Sequence, residues 1–225
     1  MSNYNRPCIV WGATGQAKVA YDILLQEGVE IIHLFDNNPC TKSPLPEIPI
    51  SYGPDGLIAF VDKLRDQRIC PEDIDFVTAI GGGNGRARET ISQFMESNGF
   101  KSRSLIHKTS IVSKSAVIGK NVQLLAGSII GAFASIGDCS IINSGANVDH
   151  DCIIGRSCHI APQATLAGEI KVGAYAFVGI NATILPRLII GSGATVGAGA
   201  VVTKNVSDGV VVVGNPAQPL YNNQL

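Results

Sequence analysis

The chain has 225 residues, 45 % hydrophobic and 16 % charged, with a formal net charge of -1, the size of one large or two modest globular domains and no basic excess to favour nucleic acid or an anionic membrane surface. No window of about 18 apolar residues exists to span a bilayer, and the opening MSNYNRPCIVWG lacks a basic segment followed by an apolar one, so a cytoplasmic protein without a secretory signal is expected. The six cysteines are scattered without a CxxC pair, which fits reduced thiols and calls for neither a disulfide framework nor a metal site.

Residues 1–104 read as alternating strand and helix. CIVWG (Cys8 to Gly12) is a short buried strand, and Thr14 to Gly28 carries Val19, Ile23 and Leu24 at helical spacing before Gly28 closes the helix. Glu30 to Asp36 is a second strand. Pro39 to Pro54 reads as a loop with one short extended piece. A helix over Leu57 to Gln67, a third strand over Asp75 to Ile80 and a helix over Arg86 to Asn98 complete a small, Rossmann-like parallel sheet open at its carboxyl edge. The first turn, GATGQAK (Gly12 to Lys18), is where backbone N–H groups receive a phosphate. It is not the GxGxxG fingerprint, because the second glycine is displaced and the third is missing. Asp36 ends the second strand where a nucleotide-binding fold puts an acid on a ribose hydroxyl. GGGNGR (Gly81 to Arg86) is a second glycine-rich turn on the same edge. Three strands are too few for a whole dinucleotide, which favours a nucleoside diphosphate attached to another group. The bland alternative is three ordinary strand-to-helix turns.

Residues 105–225 are organised by a repeat. From Ile106 in steps of six to Val202, seventeen consecutive positions are Ile, Leu or Val, and four residues after each comes a second set, mostly small, such as Ala134, Ala146, Cys152, Cys158 and Ala164. A period of six marks a parallel β-helix, each hexad forming one short side of a coil. The aliphatic residue points into a narrow core, and Cys152 and Cys158 are expected as core fillers. Glycine often follows the aliphatic position, as at Gly119, Gly131, Gly137, Gly155 and Gly173, and is expected there to supply a positive φ at a tight bend. Asp208 to Leu220 leaves the register and reads as a cap. A solenoid with exposed faces is expected to oligomerise.

A β-helix of Ile, Val and Ala offers few reactive groups. NSGANVDHDCIIG (Asn143 to Gly155) sets Asp149, His150 and Asp151 just after the inward Val148. His150, flanked by carboxylates that fix its tautomer and raise its basicity, is the candidate general base. His159 follows nine residues later, half a coil on. His33 and His107 read as structural.

The hexads, NVDHDCIIG, GINATILP (Gly179 to Pro186), VGAGAVVTKNV (Val196 to Val206) and GNPA (Gly214 to Ala217), preceded by GATGQAK, resemble the sialic acid O-acetyltransferase and nucleotide-sugar N-acetyltransferase family within the left-handed β-helix, hexapeptide-repeat acyltransferases. The resemblance spans essentially the whole chain. It implies a nucleotide-sugar-binding domain over 1–104, an acetyltransferase β-helix over 105–225, and a homotrimer with acetyl-CoA in the groove between neighbouring β-helices. By the same resemblance His150 is the base, Asp151 orients it and His159 contacts acetyl-CoA, while backbone at Gly168, Ile180 and Ala198 lines the cofactor groove. Gly12, Thr14, Gly15 and Gln16 match the phosphate turn, and Asp36 with Asn37 the pair that holds the nucleoside. The chain departs from the family at Gln16, commonly His, and Asn37, commonly a second Asp.

The reaction implied is direct transfer from acetyl-CoA to the 4-amino group of a nucleotide-linked deoxy amino sugar, UDP ahead of GDP or dTDP, for surface polysaccharide, lipopolysaccharide or glycan synthesis. No serine or cysteine is placed to form an acyl-enzyme, so a ternary complex is expected. Other readings are a hydroxyl acceptor, as in sialic acid O-acetylation, a non-catalytic nucleotide-binding scaffold and, more weakly, an NAD-dependent domain.

Overall fold

The computed structural model describes residues 6–220. It divides into two compact units, one running to Ile80 and resuming over Ala87–Leu105, the other comprising Gly81–Arg86 and the chain from Ile106 onward.

In the first unit β1 (Cys8–Trp11), β2 (Ile31–Asp36), β3 (Ile50–Tyr52), β4 (Asp75–Thr78) and β5 (Lys101–Ser102) form one parallel sheet in the order β3-β2-β1-β4-β5. The helices α1 (Gly15–Gln26), α2 (Gly53–Asp66) and α3 (Gly85–Ser97) lie between strands in sequence. β1 and β4 are buried at every residue, which is why they read as short strands lacking polar alternation. Five strands replace the three expected. β3 is the extended piece of the proline-rich excursion, its register Leu34↔Ile50 to Asp36↔Tyr52 carried by residues that still have an N–H, and its place at the sheet edge tolerates the prolines beside it. β5 is only two residues long, too short to leave a sequence signal. Trp11 anchors the core, stacked on Phe35 at 5.4 Å between centroids and edge-on to Phe94 at 5.9 Å. His33 is structural, as expected: it packs on Phe35 and Phe60, its Nε2 lies 2.9 Å from Ser51 Oγ, and burial, with Lys63 adding, pushes its pKa down to about 4.

The second unit is the left-handed β-helix. Two-residue strands build three parallel sheets of six, five and eight strands, the eight including the tail. Three hexads make one coil, so each strand pairs with the third strand after it, as in the column Ile130, Val148, Leu166, Ile184 and Val202. The aliphatic ladder from Leu124 to Val202 and the small positions, Cys152 and Cys158 included, merge into one buried core. Ile106, at the open first coil, is 44 % exposed. Val211–Val213 extends the eight-stranded sheet beside Thr195, and Gln218–Pro219 pairs back antiparallel, so the tail closes the last coil.

The glycines after the aliphatic position do not have positive φ. They are required by coil stacking: a Cβ on Gly131 would lie 2.6 Å from the Asp149 carbonyl carbon and the His150 nitrogen in the next coil, and one on Gly137 would lie 2.6 Å from Arg156 N. The left-handed residue comes two positions later, and non-glycine side chains occupy it at Phe133, Asp151, Gln163, Glu169 and Arg187. The strain, about 1–2 kcal/mol each, is offset because the kink aims each N–H at an acceptor one coil back, as in Asp151 N–H to Ala132 O at 2.9 Å and Glu169 N–H to His150 O at 2.9 Å, or Phe133 N–H to Ser115 Oγ at 3.0 Å. The two turn positions therefore respond oppositely. Gly131→Ala is expected to destabilise by about 1–3 kcal/mol, whereas Gln163→Gly, at an exposed residue with φ 59, is expected to be neutral or stabilising by up to about 1 kcal/mol. Urea unfolding of the two variants checks this, and equal losses would contradict it.

Candidate active site

His150 follows the strand Asn147–Val148 and occupies a turn on one edge of the β-helix. The left-handed backbone of Asp151, φ 57, swings its carboxylate back, and His150 Nδ1–H donates to Asp151 Oδ2 at 2.8 Å. The Asp149 carboxylate accepts the His150 backbone N–H at 2.7 Å and fixes the turn from the other side. With Nδ1 holding the proton, Nε2 carries the lone pair. The hydrogen bond to Asp151 raises the imidazole pKa above its ordinary 6.5, and the charges of Asp149, Asp151 and Glu169 add to this. The side chain is 52 % exposed, so the ring is a reachable base.

Gly168 stands one coil above. Any Cβ there would collide with His150 Nε2 and Cε1, so glycine is what lets the ring lie over the next coil. The same edge continues with Glu169, ion-paired to Arg187 at 2.9 Å, which keeps a third negative charge near the imidazole. Sequence reading missed that pair. Stepping along the chain one whole coil at a time, from Asp151 to Glu169 to Arg187, finds it.

The remaining cofactor candidates sit on other edges or faces. Ile180, 53 % exposed, and Ala198 stack one coil apart on the turn before the six-stranded sheet, with Gly199 N–H donating to Ile180 O at 2.8 Å. That sheet lies between their edge and the edge of His150 and Gly168. His159 is on a different face, in the eight-stranded sheet, and only 6 % exposed. Its Nδ1 faces Gly82 O at 3.1 Å and its Nε2 faces Asn143 Nδ2 at 3.0 Å. The structure does not bring His150 and His159 together in one chain, and both nitrogens of His159 are engaged inside it.

The sheet unit gathers the other candidates. β1 is flanked by β2 and β4, and the carboxyl ends of β1 and β4 define the crevice of this fold type. Gly12 has φ 104, and a Cβ there would strike Ala79 O, so glycine is obligatory where the two loops abut. Thr14 caps α1 without a side-chain bond to it, and Gly15 has no positive φ and only open space within 4 Å of where a Cβ would stand. Local geometry therefore does not account for glycine at 15. Gln16 is half-buried and Asn37 exposed. Asp36 accepts the N–H of Ala13 through Oδ2 at 2.8 Å and that of Asn38 through Oδ1 at 2.9 Å, tying the β1 and β2 loops together. Gly81–Arg86 follows β4, the parallel neighbour of β1, and so leaves the sheet at the expected edge, while it groups with the repeat unit. Arg88, fully buried, donates to Ile80 O at 2.8 Å and carries no mark in the sequence that sets it apart.

Among the described residues no helix is long and apolar enough to cross a membrane. The family model for bacterial transferase hexapeptide repeats matches residues 133–168 and 169–204. A perosamine N-acetyltransferase from Caulobacter crescentus, solved as a histidine variant with CoA and GDP-perosamine, is 32 % identical, matches 96 % of this chain and 97 % of its own, and superposes with a TM-score of 0.85. The acetyltransferase domain of PglB from Neisseria gonorrhoeae, in complex with acetyl coenzyme A, is 32 % identical over 96 % of this chain and 100 % of its own, with a TM-score of 0.82. WeeI from Acinetobacter baumannii is 29 % identical over 95 % and 99 %, also at 0.82. With these matches over both units, the chain belongs to the nucleotide-sugar N-acetyltransferase family of hexapeptide-repeat, left-handed β-helix acyltransferases and is an acetyl-CoA-dependent N-acetyltransferase.

Proposed function

We propose that the enzyme acetylates the 4-amino group of a nucleotide-linked deoxyhexose, with His150 as general base. The observation that carries this reading is the open Nε2 of His150, its tautomer held by Asp151 and its ring seated over Gly168. His150 accepts the amine proton as nitrogen attacks the thioester carbonyl of acetyl-CoA, and the imidazolium returns it to the departing thiolate. Asp151 stabilises the imidazolium between the two events. Gly168, Ile180 and Ala198 line the path of acetyl-CoA, with His159 contributing through its packing and not through its occupied nitrogens.

The nucleotide is assigned to the first unit. Gly12, Thr14, Gly15 and Gln16 meet the diphosphate, and the open space at Gly15 supports a ligand's close approach there. Asp36 and Asn37 meet the nucleoside. The likeness to a protein solved with GDP-perosamine supports GDP ahead of the UDP favoured from sequence, with dTDP also open. A product of this kind suits surface polysaccharide or lipopolysaccharide synthesis in the cytoplasm. A homotrimer fits the exposed apolar residues Ile111, Val117, Ile129, Phe133 and Ile153 around the His150 edge.

Turnover with GDP-, UDP- and dTDP-linked 4-amino sugars and acetyl-CoA tests the reading. Transfer only to hydroxyl acceptors, or none to any sugar, would refute it. The pH profile gives a second check. Because the hydrogen bond to Asp151 raises the His150 pKa, and the base must be neutral, kcat/KM is expected to fall as pH drops through a value above 6.5. Asp151→Asn removes that support and should move this acid limb to lower pH. An unmoved limb would remove Asp151 from the orienting role.

A further inference from the structure

Arg88, on α3, is a cation with no solvent exposure. Burying a charge is costly, and a guanidinium persists there only where oxygens receive its N–H groups. One of those oxygens is Ile80 O, 2.8 Å from Arg88 Nη1 and two residues beyond β4. Its neighbour Ala79 meets the first turn of the same unit. Ala79 N–H donates to Trp11 O at 2.6 Å, which continues the pairing of β4 with β1. Ala79 O lies where any Cβ on Gly12 would strike it. On its other side the turn is tied to β2, with Gly12 N–H donating to Phe35 O at 2.7 Å and Ala13 N–H to Asp36 Oδ2 at 2.8 Å. The turn adds little stiffness of its own: Gly12 holds φ 104, and Thr14 makes no side-chain bond to cap α1. The β2 wall is anchored by the Asp36 carboxylate. The β4 wall is Ala79 and Ile80, neither of which has a polar side chain, so its anchor must come from elsewhere.

We infer that Arg88 is a positioning residue for the nucleotide: by holding Ile80 O it fixes Ala79 as the stop against which the Gly12–Gln16 turn rests. The direction of that turn's N–H groups then depends on a buried side chain that faces no solvent. Arginine suits the task because its planar guanidinium carries several donors in one rigid fork and stays charged when buried. All the contacts lie within the first unit. The role rests on the proposed binding of a nucleotide diphosphate at Gly12–Gln16, and it predicts an effect on one substrate of the two.

Methionine at 88 follows the path of the arginine stem and makes no comparable hydrogen bond, whereas lysine keeps the charge and a donor for Ile80 O. Arg88→Met is expected to raise KM for the nucleotide-linked amino sugar about tenfold and to leave KM for acetyl-CoA within about twofold. Amide exchange with deuterium at residues 12–16 should quicken about tenfold. Arg88→Lys should change the same readouts in the same direction by less, and it carries the test if methionine prevents folding. The wild-type enzyme supplies a measurement that needs no variant: GDP, UDP or dTDP should slow exchange at Ala79 and Ile80 together with residues 12–16, because the two backbones rest on each other. Protection confined to residues 12–16 would overturn the inference, as would an unchanged KM for the amino sugar, or equal rises for both substrates, in a folded variant. If none of the three nucleotides protected residues 12–16, the proposed nucleotide site would fail, while exchange at that turn in the Arg88 variants would still decide whether Arg88 holds it.

Discussion

His150→Ala is expected to lower kcat by roughly 10²- to 10⁴-fold, the range of a positioned general base, with fold and assembly intact. The side chain is half exposed and contributes to no core, so its loss leaves the coil undisturbed. Its backbone carbonyl still accepts Glu169 N–H, a bond that any residue at 150 makes. Steady-state turnover, with circular dichroism and sedimentation as controls, checks the expectation, and near-normal kcat would exclude His150 as base. Gly168→Ala approaches the same atom from the opposite side. Because its methyl would collide with Nε2, the ring must swing away, and a loss in kcat without a matching loss in stability should follow.

Leu166→Ala should produce the largest loss of stability, about 2–5 kcal/mol. Leu166 is fully buried in the middle of the column, paired in register with Val148 below and Ile184 above. Those neighbours are held by ladder bonds in adjacent coils and cannot collapse into the space, so the substitution leaves most of a cavity. Chemical unfolding monitored by circular dichroism measures it. A loss below about 1 kcal/mol would mean that the coils relax more freely than the continuous backbone ladder allows.

The β-helix is legible in the sequence because a single periodicity carries both its local structure and its tertiary packing. An aliphatic residue at every sixth position from Ile106 to Val202 is at once the strand signal and the core. The role of its glycines is not legible, for a physical reason. Sequence shows that glycine recurs beside the ladder, but positive φ and close backbone approach both select glycine, and only the coil spacing separates them. The left-handed position, filled by Phe133, Gln163 or Arg187, leaves no sequence mark, because its stabilising bond runs to an acceptor in the preceding coil, as from Asp151 N–H to Ala132 O or from Phe133 N–H to Ser115 Oγ. The short strands β3 and β5 are hidden for a related reason: two or three residues at a sheet edge are defined by their partner strand, not by their composition.

By itself the sequence determined the repeat, the alternation of strand and helix before it, and the His150–Asp151 pair, since each depends on residues adjacent or evenly spaced along the chain. Only the tertiary structure decided which nitrogen of each histidine is free. For His150 the answer comes from a neighbour in sequence, Asp151, together with Gly168 one coil away, and Nε2 is left open. For His159 it comes from Asn143 and from Gly82, distant in the chain, and no nitrogen is left. Two histidines nine residues apart in the sequence thus have different chemistry, because a ring's proton is placed by whatever folding brings to its edges.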